Sequence, residues 1–380
     1  MPQQVYMFGK HLKIDMQIVF RTDASVEIGT GHVMRCLTLA DALRSKGAEC
    51  VFLSRLHAGH LFETIIQRGH EVISLSAKKK PITIPANTNE QHALWLGTDW
   101  STDSMETLKA LEGKAIDWLV IDHYALDYRW EKSLKPTVSH IMVIDDLADR
   151  PHDCDLLLDQ NLGRIEQDYK FLLPNHTVKL LGPQYALLRP EFGELRAQSL
   201  QRRSETPPFK NLLIMMGGVD KNNLTGDVLA ALYDCKLPKE SCITVIMGTH
   251  APWLAQIQIQ AAQMPWPTRV LVNVDDIAKL MAESDLAIGA GGGAAWERCS
   301  LGLPSLVLVL ASNQAHVAQS LQKTGAADAL FIFENLKKAS QKFISKISDK
   351  QALLEMVQSA AAVTDGAGST RVVQKILDYA

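Results

Sequence analysis

The sequence predicts an α/β protein of two Rossmann-like, doubly wound domains that face a cleft. Short apolar runs alternate with segments of helical periodicity, which is typical of parallel sheets covered by helices on both faces. A polar segment ending in Pro-Pro, residues 196–208, interrupts this alternation, which then starts again. The 380 residues also suit two domains, because single cores stop growing near about 250–300 residues.

The first half shows six apolar runs that predict strands. Helical spacing of Val33, Leu37, Ala40 and Leu43 predicts a helix after the first run, and Gly47 provides its stop. A long loop is expected over residues 77–100, followed by a helix near 101–111. The predicted strands are residues 17–20, 50–54, 71–75, 118–122, 141–145 and 156–158.

The second half repeats the pattern, with helices predicted after residue 222, over 276–283 and from 294. Its predicted strands are residues 212–216, 243–247, 270–273, 286–288 and 306–310. We therefore divide the chain into a disordered extension (1–15), an N-terminal domain (16–200) and a C-terminal domain with a helical tail (209–380). The facing carboxyl ends of the two sheets are the expected ligand site.

Composition excludes several functional classes. The formal net charge is −3 and the sequence has no long basic block, so no basic surface for binding nucleic acid is expected. No apolar run reaches 18 residues, so no membrane span is expected. The six cysteines form no Cys-x-x-Cys pair, which argues against a zinc or redox site and favours a reducing cytoplasm. We expect neither metal nor cofactor, and the sequence carries no signal of oligomeric state.

The loop after the first strand contains the strongest catalytic candidate. Gly29 and Gly31 permit turns and close approach of a ligand to the backbone. His32 follows in the first helical turn, where the helix dipole disfavours imidazolium. A neutral imidazole is the form that a general base requires. Alternatively, the glycines only form a tight turn and His32 caps the helix.

Nine short motifs follow one another along the chain. They are 21–25 (RTDAS), 29–35 (GTGHVMR), 121–124 (IDHY), 145–147 (DDL), 154–161 (CDLLLDQN), 185–192 (YALLRPEF), 216–220 (MGGVD), 296–297 (WE) and 313–314 (NQ). In this order they resemble the PseG family, the UDP-sugar hydrolases of pseudaminic acid biosynthesis, and the resemblance runs from about residue 16 to about residue 325.

The resemblance implies a GT-B-like fold and hydrolysis of UDP-2,4-diacetamido-2,4,6-trideoxy-β-L-altropyranose to UDP and free sugar. It places the family's catalytic histidine on His32. It further implies that the substrate contacts Tyr124, Arg189 and Asn313. The exact sugar rests on this resemblance alone. The chain differs from the family in its extension before Met16, its extra C-terminal residues and a glycine-rich stretch before Glu297.

The second glycine loop is the candidate nucleotide site. Residues 286–297 predict a strand, a loop containing Gly291, Gly292 and Gly293, and a helix carrying Glu297. Loop amides at a helix start can bind a diphosphate, and a carboxylate can accept hydrogen bonds from both ribose hydroxyls. The alternative is a turn packed against a neighbouring strand.

The other candidate residues keep structural alternatives. Asp23 is expected to bind a sugar hydroxyl, to orient His32 or to cap a loop. Tyr124 either contacts substrate or packs at the rim of the sheet. Arg189 either binds a phosphate or ties the two domains together. Asn313, next to Gln314 at the expected cleft, either contacts substrate or caps a helix.

One base is enough for the predicted reaction, because UDP is a stabilised leaving group and does not need the acid of ordinary glycosidases. Water would attack the anomeric carbon with inversion and without a metal. Two other functions remain open on the sequence: a GT-B glycosyltransferase that uses a UDP-sugar donor, and a non-catalytic module that binds sugar nucleotides. A dinucleotide dehydrogenase is disfavoured, because Arg35 stands where a third glycine would be sought.

Overall fold

The computed structural model describes residues 16–76, 92–205, 207–249, 251–309, 312–331 and 335–379. The first half contains a parallel seven-stranded sheet in the order β3-β2-β1-β4-β5-β6-β7. Its strands are β1 (Gln17–Thr22), β2 (Glu49–Arg55), β3 (Glu71–Leu75), β4 (Ile116–Asp122), β5 (Val138–Ile144), β6 (Leu156–Asp159) and β7 (Val178–Leu181). The helices of this half are α1 (Gly31–Arg44), α2 (Phe62–Gln67), α3 (Trp100–Ala110), α4 (Tyr128–Leu134) and α5 (Pro190–Ser204).

The second half contains a parallel six-stranded sheet in the order β10-β9-β8-β11-β12-β13. Its strands are β8 (Asn211–Met215), β9 (Cys242–Met247), β10 (Thr268–Val272), β11 (Leu286–Ala290), β12 (Ser305–Val309) and β13 (Asp328–Phe331). Its helices are α6 (Leu224–Tyr233), α7 (Leu254–Ala262), α8 (Ile277–Glu283), α9 (Ala294–Ser300), α10 (Ser312–Lys323), α11 (Leu336–Ile347), α12 (Lys350–Val363) and α13 (Gly368–Leu377).

The predicted fold class is confirmed: two doubly wound α/β units follow one another. Central strands such as β12, sequence SLVLV, are buried along their whole length because helices cover both faces of the sheet. The sequence missed β7 and β13, two strands of four residues at the sheet edges. The predicted extension 1–15 and most of the predicted loop 77–100 lie outside the described residues. The remainder of that loop contains a 3₁₀ helix, Ala93–Leu96.

Two helices pack on the half to which they do not belong in sequence. Phe192 of α5 lies in the apolar core of the second half, beside Met281 of α8. Conversely, Val372 and Ile376 of α13 lie in the core of the first half with Leu37 of α1. This exchange differs from the predicted division into 16–200 and 209–380, because the apolar faces of α5 and α13 are each buried against the opposite sheet.

The helices carry no indication of a membrane span. Within the described ranges, no helix is both long and apolar enough to cross a bilayer.

Candidate functional site

Each sheet has one point where the strand order reverses. In the first half it lies between β1 and β4, and in the second between β8 and β11. Loops that leave adjacent strands at such a point separate and open a crevice beyond the carboxyl ends of the strands. His32 follows β1, and Tyr124 follows β4. The Gly291–Gly293 loop follows β11, so the candidate residues of both halves lie at these two crevices.

His32 is paired with a carboxylate that we did not expect from the sequence. Its ring lies in the first turn of α1, 8% exposed, and its Nδ1 is 2.6 Å from Oδ1 of Asp122, the last residue of β4. An ionised carboxylate only accepts hydrogen bonds, so Nδ1 carries the proton and Nε2 keeps a lone pair. In the described part of the chain, Nε2 has no hydrogen-bond partner. The ring therefore has the tautomer and the free nitrogen of a general base.

Asp122 is fully buried and is held ionised by its neighbours. Burial alone would raise the pKa of this carboxyl, but the charges of Arg35 and His32 and their hydrogen bonds hold the pKa well below its usual value. Arg35 donates from Nε to Oδ2 at 2.6 Å and from Nη2 to Oδ1 at 2.7 Å. Arg35 also contacts Asp146 through Nη1 at 2.5 Å. The His32–Asp122 pair is thus fixed by a rigid bidentate arginine contact.

Tyr124 packs directly on the imidazole. Its ring centroid lies 4.6 Å from that of His32, edge to face, and its hydroxyl donates to Asp146 Oδ2 at 2.9 Å. Two further rings, His92 and Trp95, surround Tyr124 at centroid distances of 5.1 and 5.8 Å. Burial and the carboxylate of Asp146 raise the pKa of Tyr124 well above its usual value, so the phenol stays protonated. Tyr124 therefore lies beside the candidate base, just after the carboxyl end of β4.

Asp23 does not contact His32. It is fully buried, with Oδ1 accepting from the backbone N–H of Arg55 at 2.7 Å and lying 2.7 Å from Nη1 of Arg21. Its Oδ2 faces Nε2 of His123 at 3.3 Å and Nε2 of His57 at 3.7 Å. The orienting role considered for Asp23 is filled by Asp122. Asp23 instead joins the ends of β1 and β2.

The loop before His32 touches the second half. Gly29 has φ +84°, which favours glycine, and a Cβ on either Gly29 or Gly31 would meet nothing within 4 Å. Thr30 abuts the loop after β8, since a Cβ on Gly218 would lie 2.8 Å from the Thr30 hydroxyl oxygen. The base thus lies beside the boundary between the two halves, with open space above Gly31.

In the glycine loop after β11, Gly291 is closely packed, whereas Gly292 and Gly293 have free space beside their Cα atoms. A Cβ on Gly291 would come within 3.2 Å of Val307 and 3.4 Å of Gln314, so the packing at this position is tight and favours glycine. Gly292 and Gly293 have nothing within 4 Å of the same position. Packing therefore explains Gly291 but leaves the next two positions open to a ligand.

Positive charge surrounds Glu297 on α9. Burial raises the pKa of Glu297, while the charges of Arg189 and Arg298 act in the opposite direction. Arg298 donates to the carbonyl of Ala290 at 2.8 Å, which fixes the turn from β11 into the glycine loop. Arg189 donates from Nη1 to the carbonyl of Asp275 at 3.1 Å. The sequence left two roles open for Arg189, binding a phosphate or linking the two domains. The contact with Asp275 is consistent with the link.

Two candidates follow β12, at the start of α10. Gln314 lies against Gly291. The backbone of Asn313 belongs to the first turn of α10, but its side chain lies outside the described residues. Across the described ranges, no group of three histidine, cysteine or acidic side chains could hold a metal ion.

The sequence interpretation missed Asp122, Asp146, His92 and Trp95 as parts of the site. Asp122 and Asp146 each stand in a quoted motif, at or just after a buried strand, and this position was the available signal. His92 and Trp95 lie in the segment interpreted as a loop, so only the fold could bring them to Tyr124.

Comparison with known proteins agrees with this architecture. Residues 212–368 match the model of the glycosyltransferase family 28 C-terminal domain. The chain is 27% identical over 311 residues to the UDP-2,4-diacetamido-2,4,6-trideoxy-beta-L-altropyranose hydrolase of Campylobacter jejuni, covering 82% of this chain and 97% of that protein. It is 26% identical over 297 residues, 77% of this chain, to an uncharacterized protein of Methanocaldococcus jannaschii, of which that match spans 55%.

The same fold is found in a solved structure. The crystal structure of Acinetobacter baumannii MurG aligns with a TM-score of 0.65 at 16% identity, covering 96% of this chain and 99% of that one. The motif resemblance and the GT-B-like architecture are therefore both confirmed. The chain is similar to the Campylobacter jejuni hydrolase, and residues 212–368 of its second half match the glycosyltransferase family 28 C-terminal domain.

Proposed function

We propose that this protein hydrolyses a UDP-linked diacetamido-trideoxy sugar, UDP-2,4-diacetamido-2,4,6-trideoxy-β-L-altropyranose, to UDP and the free sugar. The observation that carries the proposal is the 2.6 Å pairing of His32 Nδ1 with Asp122 at the crevice of the first sheet, which leaves Nε2 free. Similarity to the Campylobacter jejuni hydrolase supports the choice of substrate. In this proposal the reaction is a step of pseudaminic acid biosynthesis.

In the proposed reaction, Nε2 of His32 removes a proton from water as the water oxygen attacks the anomeric carbon. The bond between that carbon and the diphosphate oxygen breaks, and UDP leaves with the electron pair. The configuration at the anomeric carbon is inverted. Asp122 stabilises the imidazolium that forms, and the proton then passes to solvent. A positioned base of this kind contributes about 10²–10⁴ in rate.

The substrate would lie across both halves. The open backbone at Gly292 and Gly293 would receive the diphosphate, with Gln314 beside the loop and Glu297 accepting from the ribose hydroxyls. Gly31 and Tyr124 would face the sugar on the His32 side, and Asn313 is proposed to contact it from α10. Arg189 supplies positive charge near Glu297. Asp23 would act on the sugar only through the histidines that it faces.

The proposal is tested by hydrolysis in ¹⁸O-labelled water without any acceptor. We expect UDP release and incorporation of one labelled oxygen into the sugar, because the C–O bond is the one that breaks. Mass spectrometry of both products provides the measurement. Label in UDP would show attack at phosphorus and defeat the mechanism.

A glycosyltransferase is the second candidate, favoured by the match to the glycosyltransferase family 28 C-terminal domain. A transferase requires an acceptor hydroxyl, whereas a hydrolase needs only water. UDP release that depends on an added acceptor would therefore select the transferase. Binding of the sugar nucleotide with no UDP release under either condition would select the non-catalytic module.

The nucleotide site predicts a pH-dependent affinity for UDP. The raised pKa of Glu297 means that its carboxylate is protonated at a higher pH than an ordinary glutamate. Since only the ionised form accepts from both ribose hydroxyls, UDP binding should weaken as the pH falls through the raised pKa of Glu297, and it should do so at a higher pH than for an ordinary glutamate. Glu297→Gln should bind UDP about tenfold more weakly at pH 8 and should lose this part of the pH dependence.

Isothermal calorimetry across the pH range measures both effects. The phosphate of UDP titrates equally with either protein, so the difference between their curves isolates Glu297. Glu283→Gln, at an exposed position at the end of α8, is the matched control and should behave as wild type. Identical pH slopes for wild type and Glu297→Gln would contradict the assignment.

A further inference from the structure

The cluster of rings beside His32 has a property that the proposed catalysis does not use. Trp95 and His92 are both half-buried, and their ring centroids are 4.5 Å apart. Trp95 lies nearly parallel to Tyr124, at an interplanar angle of 25°, and 6.3 Å from the centroid of His32. An aromatic surface of three rings thus adjoins the base.

This surface is amphipathic. Within the described residues, the indole N–H of the half-buried Trp95 has no hydrogen-bond partner, and it is therefore free to donate to a ligand. Burial lowers the pKa of His92, with Asp149 acting in the opposite direction, so this ring is neutral at pH 7 and adds no charge. The site therefore combines two half-buried aromatic rings, Trp95 and His92, with a free N–H donor.

An acetamido group has matching chemistry, because its methyl packs on an aromatic face while its carbonyl oxygen accepts a hydrogen bond. A sugar hydroxyl would leave most of the ring surface uncovered. We propose that Trp95, with His92 and Tyr124, forms a subsite for an acetamido group of the sugar and so sets the preference for N-acetylated sugar nucleotides. This inference rests on the proposed function for the class of ligand.

Binding to the His32→Asn protein tests the subsite without turnover. The three ligands are UDP, the diacetamido sugar nucleotide and its analogue with hydroxyl groups in place of both acetamido groups. Trp95→Ala should weaken binding of the diacetamido ligand about tenfold or more while changing the affinities for UDP and for the dihydroxy analogue less than about twofold. Trp95→Phe, which keeps a ring but loses the N–H, should fall between wild type and Trp95→Ala.

Phe171→Ala, at an aromatic side chain that is 87% exposed, is the control and should leave all three affinities unchanged. Thermal unfolding of each variant checks that the fold is kept. Equal weakening of the diacetamido ligand and the dihydroxy analogue by Trp95→Ala, or no weakening of either, would overturn the subsite.

The outcome can be separated from that of the proposed function. If the wild type binds the diacetamido ligand without cleaving it, hydrolysis fails, while the same affinities measured on the wild type still test Trp95. If hydrolysis is found and Trp95→Ala shows no acetamido selectivity, only the subsite fails.

Discussion

Replacing His32 by asparagine should lower kcat by about 10²–10⁴, the usual size of a general-base effect. Asparagine has no group that can take a proton from water near neutral pH. Its smaller polar side chain leaves Asp122 a hydrogen-bonding neighbour, so the fold should persist. Affinity for UDP should change less than about twofold, because the nucleotide would lie on the second half. Steady-state rates of UDP release and UDP calorimetry are the two measurements.

His176→Asn is the matched control, since its side chain is 54% exposed and faces Asp155 rather than the site. It should retain the wild-type rate. A His32→Asn enzyme that kept more than about a tenth of the wild-type kcat would remove His32 from the role of base.

Asp122→Asn should have the second largest effect, a loss of about 10²–10⁴ in kcat with little change in UDP affinity. The amide of asparagine can donate to Nδ1, which favours the tautomer with the proton on Nε2. That tautomer cannot accept a proton from water. The loss of negative charge also disfavours imidazolium, so the acid limb of the pH–rate profile should move to lower pH. The rate over the full pH range is the measurement.

A merely structural role for Asp122 would lower the rate without moving the profile. Asp146→Asn is the informative comparison, because Asp146 contacts Arg35 and Tyr124 but not His32, and its effect should be smaller. Leaving Arg35 without its buried partner will destabilise the Asp122 variant. A second test on the wild type avoids this loss of stability. Nitrogen NMR of the neutral His32 ring should show the proton on Nδ1, and a neutral ring with its proton on Nε2 would refute the pairing.

The sequence predicted the two sheets because buried parallel strands are continuous apolar runs. It located eleven of the thirteen strands in the described residues and missed β7 and β13, which are short strands at the sheet edges. Gly29, with its positive φ, and His32, in the first turn of α1, lie as the local pattern required. The local sequence pattern is sufficient to predict the position of a side chain when a single turn and the start of a single helix determine that position.

The partner of His32 could not be chosen in the same way. Asp23 and Asp122 both stand at or just after the end of a buried strand, and the pattern treats them alike. In the fold, Asp23 turns toward Arg21 and Arg55, while Asp122 meets the first turn of α1. Which carboxylate faces the imidazole depends on strand order, and strand order is not contained in the periodicity of any one segment.

The exchange of α5 and α13 between the halves has a consequence for biosynthesis. Val372 and Ile376 complete the apolar core that is founded on β1 and α1, near the opposite end of the chain. When the strands of the first sheet have been synthesised, the core on one face of that sheet still lacks the apolar side chains of α13. The first half therefore reaches its final packing only after residues 372–376 have been made, beyond the strands of the second sheet, and the two halves complete their folding together.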